Sequence, residues 1–241
     1  MFTVEHFIWI GICVVFIVGL TLLARKLKFS LKTANYIITG ICLASELCKV
    51  FTHMEAGVNG GMVIKATALP LHLCSMLLFL IFYITFAKEE KYKPALKSFV
   101  TVASLIGGTL AILMATSGTK FNEPYSYQCF VYHAGLMWYA IYLIMTKNVD
   151  MGIKSYFRNI TIISSLMICM LWVNGALKIY DTNFFFLVKP PVEGLPLLNL
   201  NNGWYVYLLT IVMLGIIFIS LVHLPFIIKE LKNKKSQNLN D

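Results

Sequence analysis

The sequence predicts an all-α fold, a polytopic membrane bundle of about seven transmembrane helices, and three observations carry that expectation. The 241 residues are 59% apolar and only 13% charged, with a mean hydropathy of +0.76, more apolar surface than a soluble core of this size absorbs. Seven apolar stretches, at 6–24, 33–52, 68–87, 97–116, 126–146, 159–178 and 203–228, alternate with charged or turn-rich breaks. Each is near the roughly 20 residues that cross a hydrocarbon core. The connections are too short for a separate soluble domain and no internal repeat is visible, so residues 1–241 read as one domain.

The first stretch follows MFTVEHFIWI, which lacks the basic start and small-residue cleavage site of a secretory signal, so it is expected to remain as helix one. The second carries Asn35, Thr39, Cys42, Glu46, Lys49 and His53, spaced alternately four and three apart and therefore on one helical face. Ionisable groups inside a span cost about 2.5–3.5 kcal/mol each on insertion scales and need partners. The stripe is either a Glu46–Lys49 ion pair that locks the bundle or the lining of a wet cavity. The third stretch contains LPLHLCSMLLFL, with Pro70 as an acceptable opening residue and His72 and Cys74 just below it. In the fourth, Ala103, Gly107, Ala111 and Ala115 form a small-x-x-x-small face, with Ser104 and Gly108 beside it, read as a close-packing surface. The fifth brings Gln128 and His133, and the sixth ends with Asn174, Lys178 and Asp181. A long connection, DTNFFFLVKPP, then supplies Asn183, Lys189, Pro190 and Pro191 before the seventh stretch and a basic tail at 229–241.

The net charge of +9 raises the question of nucleic acid, and the placement of the charges answers it. Fifteen of the twenty basic residues, among them Arg25, Lys28, Lys88, Lys97, Lys147, Arg158 and Lys229, fall in or beside the first, third and fifth loops and the tail; five (Lys49, Lys65, Lys120, Lys178, Lys189) lie on the other side. By the positive-inside rule the N-terminus is outside and the C-terminus cytoplasmic, as seven spans require. Basicity here records topology and attraction to anionic lipid; no nucleic-acid partner is expected. Oligomeric state is not legible.

With that topology, Glu46, Lys49, His72, Cys74, Gln128, His133, Asn174, Lys178 and Asn183 converge on the outer half of the bundle. A helix opening at Pro70 would place Cys74 only some 6–8 Å along it, at a depth comparable to His133. The inner half offers little beyond His223, read as an interfacial residue. Six cysteines (Cys13, Cys42, Cys48, Cys74, Cys129, Cys169) form no C-x-x-C pair, which argues against a thiol oxidase or zinc ribbon. Most read as small apolar packing residues. Cys74 is either one of those or a nucleophile; a buried thiol needs a base, a cation or a helix N-terminus to become a thiolate. His133, from another helix, is the candidate base, and His72, two residues from Cys74, a second wall of the pocket. A zinc site on His72, Cys74 and His133 has the right ligand types but no diagnostic spacing, so no metal or other cofactor is expected.

LPLHLCSMLL, the histidine of YHAGLMWYAIYLI and DTNFFFLVKPP together resemble the YwaF-type bacterial membrane proteins and their eukaryotic relatives, the transmembrane protein 164 family, from about helix two through helix seven. The resemblance implies a polytopic lipid-modifying enzyme that transfers acyl groups between phospholipids. By the same resemblance Cys74 is the nucleophile, His72 and His133 are the matching histidines, and Asn183, Lys189 and Pro190 are an outer-loop signature. The expected function is therefore a phospholipid acyltransferase or transacylase acting through a Cys74 thioester, in a bacterial plasma membrane, with phospholipid and lysophospholipid as substrates. Catalysis would rest on Cys74, His133 and His72, and substrate binding on Glu46, Lys49, Asn174, Lys178, Asn183 and Lys189. The rival expectation is a membrane transporter, or the substrate-binding subunit of one, with a polar outward pocket and no covalent chemistry. The absence of an inverted repeat speaks against it.

Overall fold

The computed structural model describes residues 2–56, 61–115, 118–192, 194–195 and 197–237. It is an all-α polytopic membrane bundle built from α1 (Val4–Lys26), α2 (Leu31–Thr52), α3 (Leu73–Phe86), α4 (Lys93–Met114), α5 (Pro124–Met145), α6 (Ile153–Ala176) and α7 (Trp204–Gln237). Six of these are long and apolar enough to cross a bilayer; α3 is not. Local chemistry sets several of the starts. Thr3 and Ser30 accept from the backbone N–H groups of His6 and Thr33 as side-chain caps of α1 and α2, and Pro94 and Pro124 occupy the first turns of α4 and α5, where a missing N–H costs nothing.

α5 is the central helix, packed against α1, α2 and α4, while α3 fills the space between α2 and α4. The core follows from that arrangement: Leu136, Trp138, Tyr139 and Leu143 of α5 are sealed against Ile38 of α2 and Leu77 and Ile81 of α3, while Phe130 of α5 stacks on Trp9 of α1. α1 and α7 stand at the edge, and most of their apolar side chains face outward, as helices bathed in lipid require.

The two ends of the bundle identify themselves by their contacts. Thr3 pairs with Thr119, and the Trp9 indole N–H donates to the Thr119 carbonyl at 3.0 Å, so the N-terminus shares a side with the α4–α5 connection. On the opposite side Tyr142 donates to the Phe29 carbonyl at 2.9 Å, and the Ile153 N–H donates to Glu230 Oε2 at 3.1 Å. These pairings fit seven alternating passes, with the basic loops collected on the second side.

Three expectations change. The third pass is not a full helix: α3 has 14 residues, about 21 Å of rise against a hydrocarbon core of roughly 30 Å. A short antiparallel hairpin, β1 (Met54–Ala56) with β2 (Met62–Ile64), follows α2. A 3-10 turn at Ala66–Ala68 and a γ-turn around Pro70, in which the Leu71 N–H meets the Leu69 carbonyl at 2.7 Å, then lead into α3. Pro70 thus turns the chain and does not open the helix, because Leu69 and Leu71 are drawn into a cluster with Met170, Phe184 and Leu187. The connection after α6 folds back into the bundle, with Thr182, Phe184 and Leu187 buried. That protein cover makes non-helical backbone tolerable at membrane depth.

Second, α7 continues through Pro225 to Gln237, so the basic tail from 229 is helical as far as the described residues reach, with 238–241 outside them. A Glu230–Lys234 pair at 2.7 Å, one turn apart, supports the extension. Third, His223 is not interfacial but fully buried. Its Nδ1 donates to the Met151 carbonyl at 2.8 Å, and its Nε2 accepts from Asn159 Nδ2 at 3.1 Å, which also donates to Ser98 at 3.0 Å. The half of the bundle nearer the basic loops therefore holds a polar lock joining α4, α6 and α7, assembled from residues far apart in the chain.

A candidate cysteine-centred site at the start of the third helix

The late start of α3 changes the setting of Cys74. His72 is the N-cap, in extended backbone, and the Met76 N–H closes the first turn on the His72 carbonyl at 2.9 Å. Cys74 is then the second residue of the helix, inside the first turn and not beyond it. The first-turn N–H groups have no intrahelical acceptor, and the helix dipole makes this end partly positive, a setting that favours negative charge on sulfur or on an oxygen bound beside it. The thiol packs over α4 at Gly107, where a methyl group would lie 3.3 Å from Cys74 Sγ.

His133 approaches from α5, and its imidazole and the Cys74 thiol interact side chain to side chain. Its Nδ1 lies 2.7 Å from the carbonyl oxygen of Cys129, one turn earlier. A carbonyl only accepts, so Nδ1 carries a proton, and in the neutral imidazole the lone pair then lies on Nε2, the tautomer a general base requires. Cys74 and His133 are both half-buried, whereas Cys13, Cys42 and Cys129 are sealed. Cys74 alone thus combines a histidine partner with partial exposure.

The surroundings hold this pair in place. The Tyr132 hydroxyl donates to the Cys74 carbonyl at 2.5 Å and also meets the Cys42 thiol, tying α5 to the start of α3 and to α2. Lys49 forms an ion pair with Glu46 and donates to Ser75 Oγ at 2.9 Å, so the α2 stripe reaches the residue next to Cys74. Toward the other end of α2 the same stripe is a packing seam: Tyr139 donates to Asn35 Oδ1 at 2.7 Å and Thr39 pairs with Thr85 at 3.1 Å. The single face foreseen on α2 thus divides into a locked half near the start of the helix and a polar half near its end.

His72 stands across from this network, its ring edge-on to Phe184 at 5.3 Å and tilted against Phe186 at 5.4 Å. It forms a wall with the folded-back loop. The other expected substrate-binding residues lie in that loop or at its start. Asn174 bonds both the N–H and the carbonyl of Phe184, at 2.8 and 3.0 Å, and Asn183 gathers the N–H groups of Val188 and Lys189 and donates to the Lys189 carbonyl. Their amides shape the loop. Lys189 pairs with Asp181 at 2.6 Å, and Lys178 is exposed in a 3-10 turn beyond the end of α6. The structure therefore brings together Glu46, Lys49, Cys74 and His133 with His72 at their side, and leaves Lys178 and Lys189 on the rim.

Tyr132, Ser75 and Gly107 are neighbours of the thiol that reading the chain did not single out. Tyr132 is marked in the chain only by its place beside His133, and Gly107 belongs to the small-residue face of α4 and meets the thiol there. Among the described residues, no three or more His, Cys, Asp or Glu side chains gather as a metal site, and His72, Cys74 and His133 do not form one.

Neither the curated proteins nor the solved structures include a match to this chain. The model of the TMEM164 family matches residues 1–223. With that match covering all but the C-terminal end of α7 and the residues after it, on an all-α membrane bundle, the chain belongs to the TMEM164 family.

Proposed function

We propose that this protein is a phospholipid acyltransferase that works through a thioester on Cys74, with its pocket open to the outer leaflet of a bacterial plasma membrane. The observation that carries the reading is the half-buried Cys74 thiol in the first turn of α3, in contact with a His133 whose Nδ1–H is already committed to the Cys129 carbonyl. The charge bias supports the sidedness, and the resemblance of the L-P-L-H-L-C segment to bacterial relatives supports the compartment.

In this reading His133 Nε2 takes the thiol proton as Cys74 Sγ attacks the ester carbonyl carbon of a phospholipid. The negative charge that builds on the carbonyl oxygen is met by the first-turn N–H groups of α3. The S–C bond forms, the ester C–O bond breaks, and the departing lysolipid oxygen receives the proton from His133. In the second half an acceptor hydroxyl, from another lysolipid or from water, gives its proton to Nε2 and attacks the thioester. The acyl C–S bond then breaks and the proton returns to Cys74. Tyr132, through the Cys74 carbonyl, and Lys49, through Ser75, are positioning residues that hold the nucleophile's turn.

The test is intact-mass analysis of the purified protein after incubation with mixed phospholipids, wild type beside Cys74→Ser and His133→Gln, before and after hydroxylamine. A hydroxylamine-labile acyl adduct on the wild type, absent in Cys74→Ser and formed about 10²–10⁴ times more slowly in His133→Gln, is the expected result. No adduct on the wild type, with lipid or solute still co-purifying with all three, would sink the covalent reading in favour of binding or transport.

A further inference from the structure

A cavity of about 580 Å³ lies between α2 and α5 in the outer half of the bundle. That volume is within the range of roughly 300–1,000 Å³ typical of small-molecule sites. Ile41, Ala44 and Cys48, three and four residues apart, form one wall, and Tyr127 and Val131 with Gln128 and Tyr132, each pair four apart, form the other. The cavity is therefore a trough along the helix pair, closed at its outer end by the α4–α5 connection. Gln128 crosses it to donate to Ser45 Oγ at 2.5 Å, so these two polar side chains on its walls satisfy each other and the remaining lining is largely apolar. Ala44, Tyr127 and Val131 are exposed, which opens the trough sideways into the bilayer. Tyr132 belongs to both places: its ring lines the trough and its hydroxyl holds the Cys74 carbonyl. Tyr132 is thus the side chain shared by an apolar, lipid-accessible channel and the turn that carries Cys74.

We propose that this trough holds an acyl chain of the lipid whose ester meets Cys74, so that bulk introduced at position 44 shortens the chain it accepts. The inference rests on the acyl-transfer reading for its chemistry but not for its binding site. An acyl chain gains little by leaving the bilayer for an apolar wall, since lipid tails are as apolar as the helix. Selectivity therefore comes from close packing along the trough and from steric exclusion. A single methylene misfit in an apolar pocket is worth about 10- to 200-fold.

The experiment uses the full chain in lipid nanodiscs holding equal amounts of a short-chain and a long-chain phosphatidylcholine. The first readout is the ratio of the two acyl adducts on the protein. Ala44→Phe, and from the opposite wall Val131→Trp, are expected to lower the long-to-short ratio by about tenfold. Leu209→Phe, on the lipid-facing surface of α7, is expected to leave the ratio unchanged. The second readout needs no chemistry at Cys74: a phosphatidylcholine with a photoreactive group on its tail is cross-linked to Cys74→Ser, with and without Ala44→Phe. Cross-links concentrated on residues 41–48 and 127–132, and lost with Ala44→Phe, support the trough whether or not a thioester forms. An adduct on wild type with an unchanged chain ratio in both trough variants, together with cross-links spread evenly over α1 and α7, would overturn the inference and leave the cysteine chemistry standing. Trough cross-links without any adduct would uphold the lipid site and count against acyl transfer.

Discussion

Two adjacent glycines of α4 should respond in opposite ways to the same substitution. At Gly107 an added methyl meets only the Cys74 sulfur, at 3.3 Å, so the thiol must give way by a few tenths of an ångström. At Gly108 it lies 2.6 Å from Met137 Cγ and 3.1 Å from the His133 carbonyl oxygen, and the backbone of α5 cannot yield as a side chain does. Alanine in a helix interior is favoured over glycine by about 0.8–1.0 kcal/mol. Gly107→Ala should therefore keep or raise thermal stability while displacing the nucleophile. If a misplacement of 1 Å costs about 10²-fold, a shift of roughly 0.3 Å costs about fourfold in the rate at which Cys74 is acylated. Gly108→Ala should instead lower stability by about 1–3 kcal/mol through overpacking between α4 and α5. Adduct formation followed by intact mass, beside thermal unfolding in detergent, separates the two effects. A Gly107→Ala protein that acylates at the wild-type rate would show that the sulfur is not held against α4 during reaction, and the placement of the nucleophile would be refuted.

The Glu46–Lys49 pair and the Asp150 loop give two further tests. The ion-pair side chains are only 15% and 9% exposed, so Lys49→Met should strand the carboxylate and cost about 3–5 kcal/mol. Adding Glu46→Gln should restore most of that loss in thermal unfolding, whereas an unstable double variant would mean that Lys49 is needed for its bond to Ser75. At Asp150, in the α5–α6 connection, burial works to raise the carboxyl's pKa. The Gly152 N–H at 2.9 Å, the Ser155 hydroxyl at 2.7 Å and the Arg158 charge outweigh it and hold the group below the usual carboxylate range. A depressed folded-state pKa contributes stability that is present above about pH 4 and disappears as the pH falls through the folded value. Asp150→Asn should thus be less stable than wild type at neutral pH, with the difference shrinking in acid; parallel stability curves would refute that coupling.

The seven helices, their order and the gathering of the basic loops at one end of the bundle were legible in the chain, because hydrophobic length and charge placement are local quantities. The residues of the candidate site were legible as types: a cysteine, two histidines and an ion pair at comparable depth. Their mutual arrangement was not. Where α3 begins depends on Leu69 and Leu71 packing against Phe184 and Leu187, more than a hundred residues away. That contact moves Cys74 into the first turn and makes His72 an N-cap. The tautomer of His133 depends on a bond to its own helix, yet its usefulness depends on which helix faces it. His223 shows the same limit from the other side: a lone histidine near a span's inner end looks interfacial until α4 and α6 supply Ser98, Asn159 and the Met151 carbonyl. The sequence by itself determined which segments are long and apolar enough to enter the membrane and which connections carry the basic residues. Only the tertiary structure decided which polar groups meet there, because in lipid every such group must find its partner across helices that are distant in sequence.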